Sequence, residues 1–201
     1  MATIGLSKPY YAIYSNTGSA VTYSEGGLLG KYTELSIELD DQEADNLYAD
    51  NNVAESEQQF SGGTATVTTD DLSAAVMMAV LGAKEQSITN ESITTSDPTW
   101  VVFDDTQNIP YIGLGGVIKK KVGGVVKWVG FVLNKVQFST PGIAATTQGE
   151  SIEWQTQELT ATIYRSDAEN RPWFQLTSAM DSEADAEAAV TQYLSISGGA
   201  G

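Results

Sequence analysis

The sequence predicts a mainly β fold: a β-sandwich or barrel with one flanking α-helix, a long β-hairpin and an acidic C-terminal helix. Three observations carry this. Several short segments alternate apolar and polar residues with a period of two, two longer β-rich runs flank a glycine pair, and only two segments carry helix caps. At 201 residues the chain suits one domain with extensions, enough to bury a core without disulfides or a metal.

The elements follow in order. PYYAIYS (Pro9–Ser15) is an aromatic-rich strand, NTG turns it, and SAVTYS (Ser19–Ser24) is its hairpin partner. In TELSIELDD, Leu35, Ile37 and Leu39 alternate with Glu34, Ser36, Glu38 and Asp40, which gives a strand one buried and one acidic face. GGTATVTTDDL (Gly62–Leu72) is a threonine-rich strand. Asp70 or Asp71 then caps LSAAVMMAVLG, a short apolar helix whose methionines read as core filler and whose Gly82 ends it. A polar stretch from Ala83 to Pro98 precedes the strand TWVVFDD (Thr99–Asp105).

The dominant feature is the pair of runs Tyr111–Lys121 and Val125–Phe138, each longer than the usual strand, joined at Val122–Gly124, where paired glycines suit a primed hairpin turn. QELTATIYR (Gln157–Arg165) and PWFQL (Pro172–Leu176) are later strands. DSEADAEAAVTQYL (Asp181–Leu194) is a capped acidic helix, followed by a glycine-rich tail. The expected organisation is a β domain over 1–180, with its hairpin at 110–140, and a terminal helix and tail over 181–201.

Composition excludes whole classes of chemistry. With no histidine and no cysteine, Ser-His-Asp and Cys-His catalysis are impossible, and zinc catalysis lacks its usual ligands. A formal charge of −16 sets the chain against bare nucleic acid. The opening MATIGLSKPYY lacks a basic and then apolar leader, and the longest apolar run, Ala74 to Ala83, is too short to span a membrane; the expectation is folding in a cytoplasm.

GLGGVI (Gly113–Ile118) lacks the third glycine of a dinucleotide loop and runs into lysines. The pairs Asp40–Asp41, Asp70–Asp71 and Asp104–Asp105 fall at strand ends, where aspartates turn the chain, and none sits in a calcium-loop frame. No cofactor, metal or catalytic residue is expected, and the chain reads as a non-enzyme.

One pattern survives these tests. From Glu25 to Glu57 ten acids face Lys31 alone, whereas Thr106 to Gly149 holds no acid and half the chain's basic residues: Lys119, Lys120, Lys121, Lys127 and Lys135. Either the hairpin packs on the acidic strands of its own chain, or the basic hairpin of one copy meets the acidic surface of another. The hairpin's length, and the apolar surface of Val125, Val126, Trp128, Val129, Phe131, Val132 and Leu133, favour the second reading, because such strands leave apolar surface and open edges unless something covers them. The expected interface residues are Lys119, Lys120, Lys121, Lys127, Trp128 and Phe131.

Four motifs in order then carry a resemblance. MATIGLSKPYYA, LYADNNVAESEQQFSGGTATVTTDDLS, AVLGAK (Ala79–Lys84) and VGFVLNKVQFSTPG (Val129–Gly142) resemble the phage major tail protein family, the tail tube subunits of long-tailed phages. The likeness runs from Met1 to about Phe174 and fails over Asp181–Gly201. It implies a structural virion protein whose six copies form a ring with one continuous inner barrel. It implies that rings stack into a tube, bridged by the hairpin and the N-terminal arm. It further implies partnership with other copies, the tape-measure protein and tail initiator and terminator proteins, assembly in the host cytoplasm, no membrane, and DNA passing without specific binding.

A bore lined with carboxylates would repel phosphate. The lumen candidates are Glu34, Glu38, Asp40, Asp41, Asp70 and Asp71. The competing expectation is a carbohydrate- or calcium-binding β-sandwich module of an adhesin-like protein, served by clustered aspartates and by Trp100, Trp128, Trp154 and Trp173. A glycosidase ranks third, because sequence alone cannot place two carboxylates face to face.

Overall fold

The computed structural model describes residues 2–18, 20–40, 45–49, 52–57, 60–87, 99–142 and 156–196, with the backbone alone at 45–49, 52–57 and 99. Its strands are β1 (Ala2–Asn16), β2 (Val21–Leu28), β3 (Tyr32–Leu39), β4 (Asp45–Ala49), β5 (Asn52–Glu57), β6 (Gly63–Thr69), β7 (Lys84–Ser87), β8 (Thr99–Val102), β9 (Ile112–Val122), β10 (Val125–Phe138), β11 (Gln157–Tyr164) and β12 (Phe174–Leu176). The helices are α1 (Ala74–Leu81) and α2 (Glu183–Tyr193). The fold is therefore mainly β, built on one large antiparallel sheet in the order β2-β1-β9-β10-β11-β6-β3, with β12 paired to β10. β4–β5 and β7–β8 are two separate ribbons.

The sheet folds across itself. Alternate residues of β1, β6, β9, β10 and β11 (Tyr11, Ala65, Val67, Ile112, Leu114, Leu133, Leu159 and Ile163 among them) converge on one buried cluster, joined by Tyr32, Leu35 and Ile37 of β3. The Tyr32 hydroxyl, from one end of the strand order, donates to the Gly115 carbonyl of β9 at 3.2 Å. The apolar helix α1 joins the same cluster through Val80 and Leu81.

The opposite face of β1 and β10 carries Tyr10, Ala12 and Val132, which bury Val190 and Leu194 of α2. α2 is thus integral to the fold rather than an appendage of a domain ending at 180. It lies in a trough of missing side chains. A Cβ on Gly115 would come within 2.7 Å of Val190, one on Gly130 within 2.8 Å of Val190, and one on Gly113 within 2.7 Å of Leu194.

Several sequence expectations hold at their residues: β3, β6, β11, and the long hairpin with Gly123 and Gly124 both at positive φ (57° and 87°), as its primed turn requires. Gly82 ends α1 at φ 65°. Others are corrected. The α1 cap is Ser73, whose hydroxyl accepts from the Val76 N–H, not Asp70 or Asp71. β1 begins at Ala2 rather than Pro9, because the arm Ala2–Ser7 pairs along β9 from Lys121 to Val117. Lys84–Ser87, read as part of a polar connection, pairs with β8.

The long hairpin does not present open edges beyond its tip either. β1 covers the outer edge of β9. β11, β12 and a bridge between Trp128 and Met180 cover that of β10 from Trp128 onward, which leaves Val125–Lys127 at the tip without a strand partner there among the described residues.

Candidate assembly surface

Charge pairing along the hairpin separates its lysines into two groups. Lys135 lies between the rings of Tyr14 and Tyr111 (5.1 and 4.6 Å to their centroids) and meets Asp167 at 2.7 Å. The ammonium of Lys135, followed by the Tyr14 hydroxyl, holds the Asp167 carboxyl below its ordinary pKa. Lys127 pairs with Asp181, just ahead of α2. Lys8, Lys31 and Lys84 likewise meet Glu187, Asp70 and Asp104. Of the eight lysines in the chain, the three that meet no carboxylate among the described residues are consecutive: Lys119, Lys120 and Lys121.

All three lie toward the distal end of the hairpin. Lys119 sits over Trp128, its cross-strand neighbour, at 5.8 Å from the ring centroid. Lys120 is opposite Lys127, a like-charge pair that costs stability in an isolated chain. The alternation of β9 puts Lys119 and Lys121 on the face that carries α2, and Lys120 on the other. Beyond them the cross-strand pair Val122 and Val125 is 37% and 56% exposed at the tip. Among the described residues, neither lysine pairing on the hairpin uses Glu25, Glu34, Glu38 or Asp40.

Phe131 is corrected outright as an interface residue. It is 1% exposed, over Gly116 and between the rings of Tyr32 and Phe174. Val129, Val132 and Leu133 are buried as well, so the apolar surface expected of the hairpin contracts to its tip. Trp128 is half-buried beneath Lys119.

The acidic candidates also divide. The register of β3, β6 and β11 aligns three rows on the face opposite the core: Glu34–Thr68–Glu158, Ser36–Thr66–Thr160 and Glu38–Thr64–Thr162. Leu35, Ile37, Ala65, Val67, Leu159 and Ala161 fill the core side of the same strands. These three rows carry only hydroxyls and carboxylates, and on β10 the same face continues with Gln137 opposite Thr162 and Lys135 opposite Tyr164. Glu158 belongs to it but was not among the sequence candidates, although the alternation Glu158, Thr160, Thr162 against Leu159, Ala161, Ile163 marks its face.

Asp40 is exposed at the end of β3, and Asp41 lies outside the described residues. Asp70 and Asp71 are turn residues. Asp70 accepts the Lys31 and Asp71 N–H groups at 2.9 Å each, meets the Lys31 ammonium at 3.4 Å, and is held below its ordinary pKa chiefly by that Lys31 N–H. Asp71 accepts the Leu72 N–H at 2.8 Å. Their carboxylates fasten the chain between β6 and α1, where β6 ends beyond the Glu34–Thr68–Glu158 row.

The arm ahead of the β1 core is clamped by α2. Ser7 donates to Glu183, while Lys8 and Tyr10 converge on Glu187. Burial first, then the hydrogen bond to Glu187, pushes the Tyr10 hydroxyl up to about 12.

For the competing reading, Trp100 is 55% exposed on the β7–β8 ribbon, Trp128 and Trp173 are half-buried, and Trp154 lies outside the described residues. No three acidic side chains converge into a cation site, and no helix is long and apolar enough to cross a membrane, among the described residues. Comparison with models of known protein families gives no match, and comparison with curated proteins gives none either.

Proposed function

We propose that this chain is a structural, self-assembling tube subunit: the major tail tube protein of a long-tailed phage, forming stacked hexameric rings that conduct DNA. The observation that carries the reading is a lysine triplet that meets no carboxylate among the described residues, on an extended hairpin flanked by strands on both sides, in a chain of net charge −16. A monomer gains nothing from opposing Lys120 to Lys127. A second copy offers carboxylates in excess. Such a contact joins two different patches, so repetition builds rings or filaments rather than a closed dimer. The hydroxyl and carboxylate rows of β3, β6 and β11 fit the wall of a bore, because they offer phosphate no cation to exchange for its counterions.

Reversing Lys119, Lys120 and Lys121 to glutamate tests the reading. The account predicts a folded monomer that no longer polymerises, measured by sedimentation, and wild-type assemblies that weaken as salt screens the contact. Normal polymerisation of the triple variant would refute the assignment.

One observation favours a second reading. The exposed Trp100 is the kind of aromatic platform a carbohydrate-binding module of an adhesin-like protein would use. Saturable quenching of tryptophan fluorescence by glycans, lost in Trp100→Ala, would support that reading over the first.

A further inference from the structure

We infer that the hairpin tip of one copy seats in a groove between β12 and α2 of another. The inference rests on the self-assembly reading and names the surface that receives the lysines. Between β12 and α2 lies an apolar groove floored by Gly130 and Val132 and walled by Leu176, Ala189 and Tyr193. Leu176 is 52% and Tyr193 39% exposed, whereas Ala186 and Val190 on the inner face of α2 are buried.

The tip offers a matching apolar pair in Val122 and Val125, 37% and 56% exposed. A two-residue turn presents only a valine on either side, because Gly123 and Gly124 add no side chains.

Charge sets the orientation. Asp185, Ala189 and Tyr193 follow one another at helical spacing on α2, so Asp185 continues the wall of the groove, and it is exposed. On the hairpin, Lys120 shares a face with Val122 and lies two residues behind it, roughly 7 Å along the strand. One turn of α2 separates Ala189 from Asp185 by about 6 Å. A valine resting on Ala189 therefore brings the ammonium of Lys120, which meets no carboxylate among the described residues, beside the Asp185 carboxylate. Lys121, on the opposite face, stays free for a further acid.

The natural chain has no cysteine, which makes the contact directly testable. Val125→Cys and Leu176→Cys are made in separate copies, checked for native circular dichroism, mixed, allowed to assemble and oxidised. Within one chain the two positions cannot bridge, because Leu176 is opposite Phe131, six residues and roughly 20 Å of strand from the tip. The expected product is the mixed disulfide, in several-fold excess over either homodimer. Asp185→Lys should abolish assembly, and combining it with Lys120→Asp should restore it. Tubes or rings that form without the mixed disulfide overturn the groove but leave the assembly reading standing. A chain that neither assembles nor cross-links at high concentration overturns both.

Discussion

Lys120→Gln separates assembly from folding in a single substitution. Lys120 and Lys127 are directly opposite across β9 and β10, and the Asp181 partner of Lys127 is 87% exposed, so it offsets the repulsion weakly. Two ammonium groups roughly 7 Å apart repel by about 0.6 kcal/mol in water-like surroundings. Screening at 0.1 M salt reduces that by about half. Glutamine removes the charge and is only one atom shorter. The isolated subunit should therefore gain about 0.3–0.6 kcal/mol, within the range for directly opposed like charges on a sheet. Urea unfolding of dilute monomer would report it as a higher midpoint at unchanged slope. The same variant should polymerise less readily, because it loses the charge aimed at a neighbour. Destabilisation of the monomer would refute the reasoning, since it would mean that Lys120 makes a favourable contact within its own chain.

Other expectations follow from the packing and the titrating groups. Gly130→Ala should destabilise the fold by roughly 1–3 kcal/mol through its collision with Val190, and Val190→Ala on top should cost less than the separate effects summed, which a double-mutant cycle in urea would measure. Leu194→Ala, at a fully buried position under α2, should cost about 2–5 kcal/mol by the same assay. Tyr10 is favoured in its protonated form, so its contribution is complete below pH 10 and is lost as pH rises through about 12; Tyr10→Phe should flatten the alkaline unfolding curve in that window. Replacing Glu34, Glu38 and Glu158 with lysine should leave the monomer folded but make assembled tubes retain DNA. Retention should weaken with salt at a logarithmic slope of about −0.9 per phosphate neutralised, read by gel shift.

What was legible in the sequence is what local chemistry decides. Gly123–Gly124 between two β-branched runs defines the long hairpin to within a residue, because only a positive-φ pair joins strands that tightly. The alternation in β3 and β11 assigns their core faces without knowledge of their neighbours. Where two residues compete for one local task, sequence could not choose. Asp70, Asp71 and Ser73 are all good helix caps, and the demand of Lys31 for a partner draws Asp70 elsewhere.

Elements defined by distant partners were hidden. Lys84–Ser87 is polar throughout and becomes a strand because β8 lies alongside. Ala2–Ser7 alternates poorly and is extended because β9 is long enough to hold it. The seat of α2 depends on glycines on β9 and β10 whose vacancies align only after pairing. The sorted lysines were visible as a group, but their division was not. Lys127 and Lys135 look like Lys119–Lys121 in sequence and differ only because Asp181 and Asp167 fold back beside them.

The central claim is assembly, and electron microscopy of the purified chain tests it most directly. Concentrated protein in negative stain, at low and then moderate salt, should show rings or hollow tubes of uniform width that become fewer as salt rises. A chain that stays monomeric at every concentration and every salt would contradict the account.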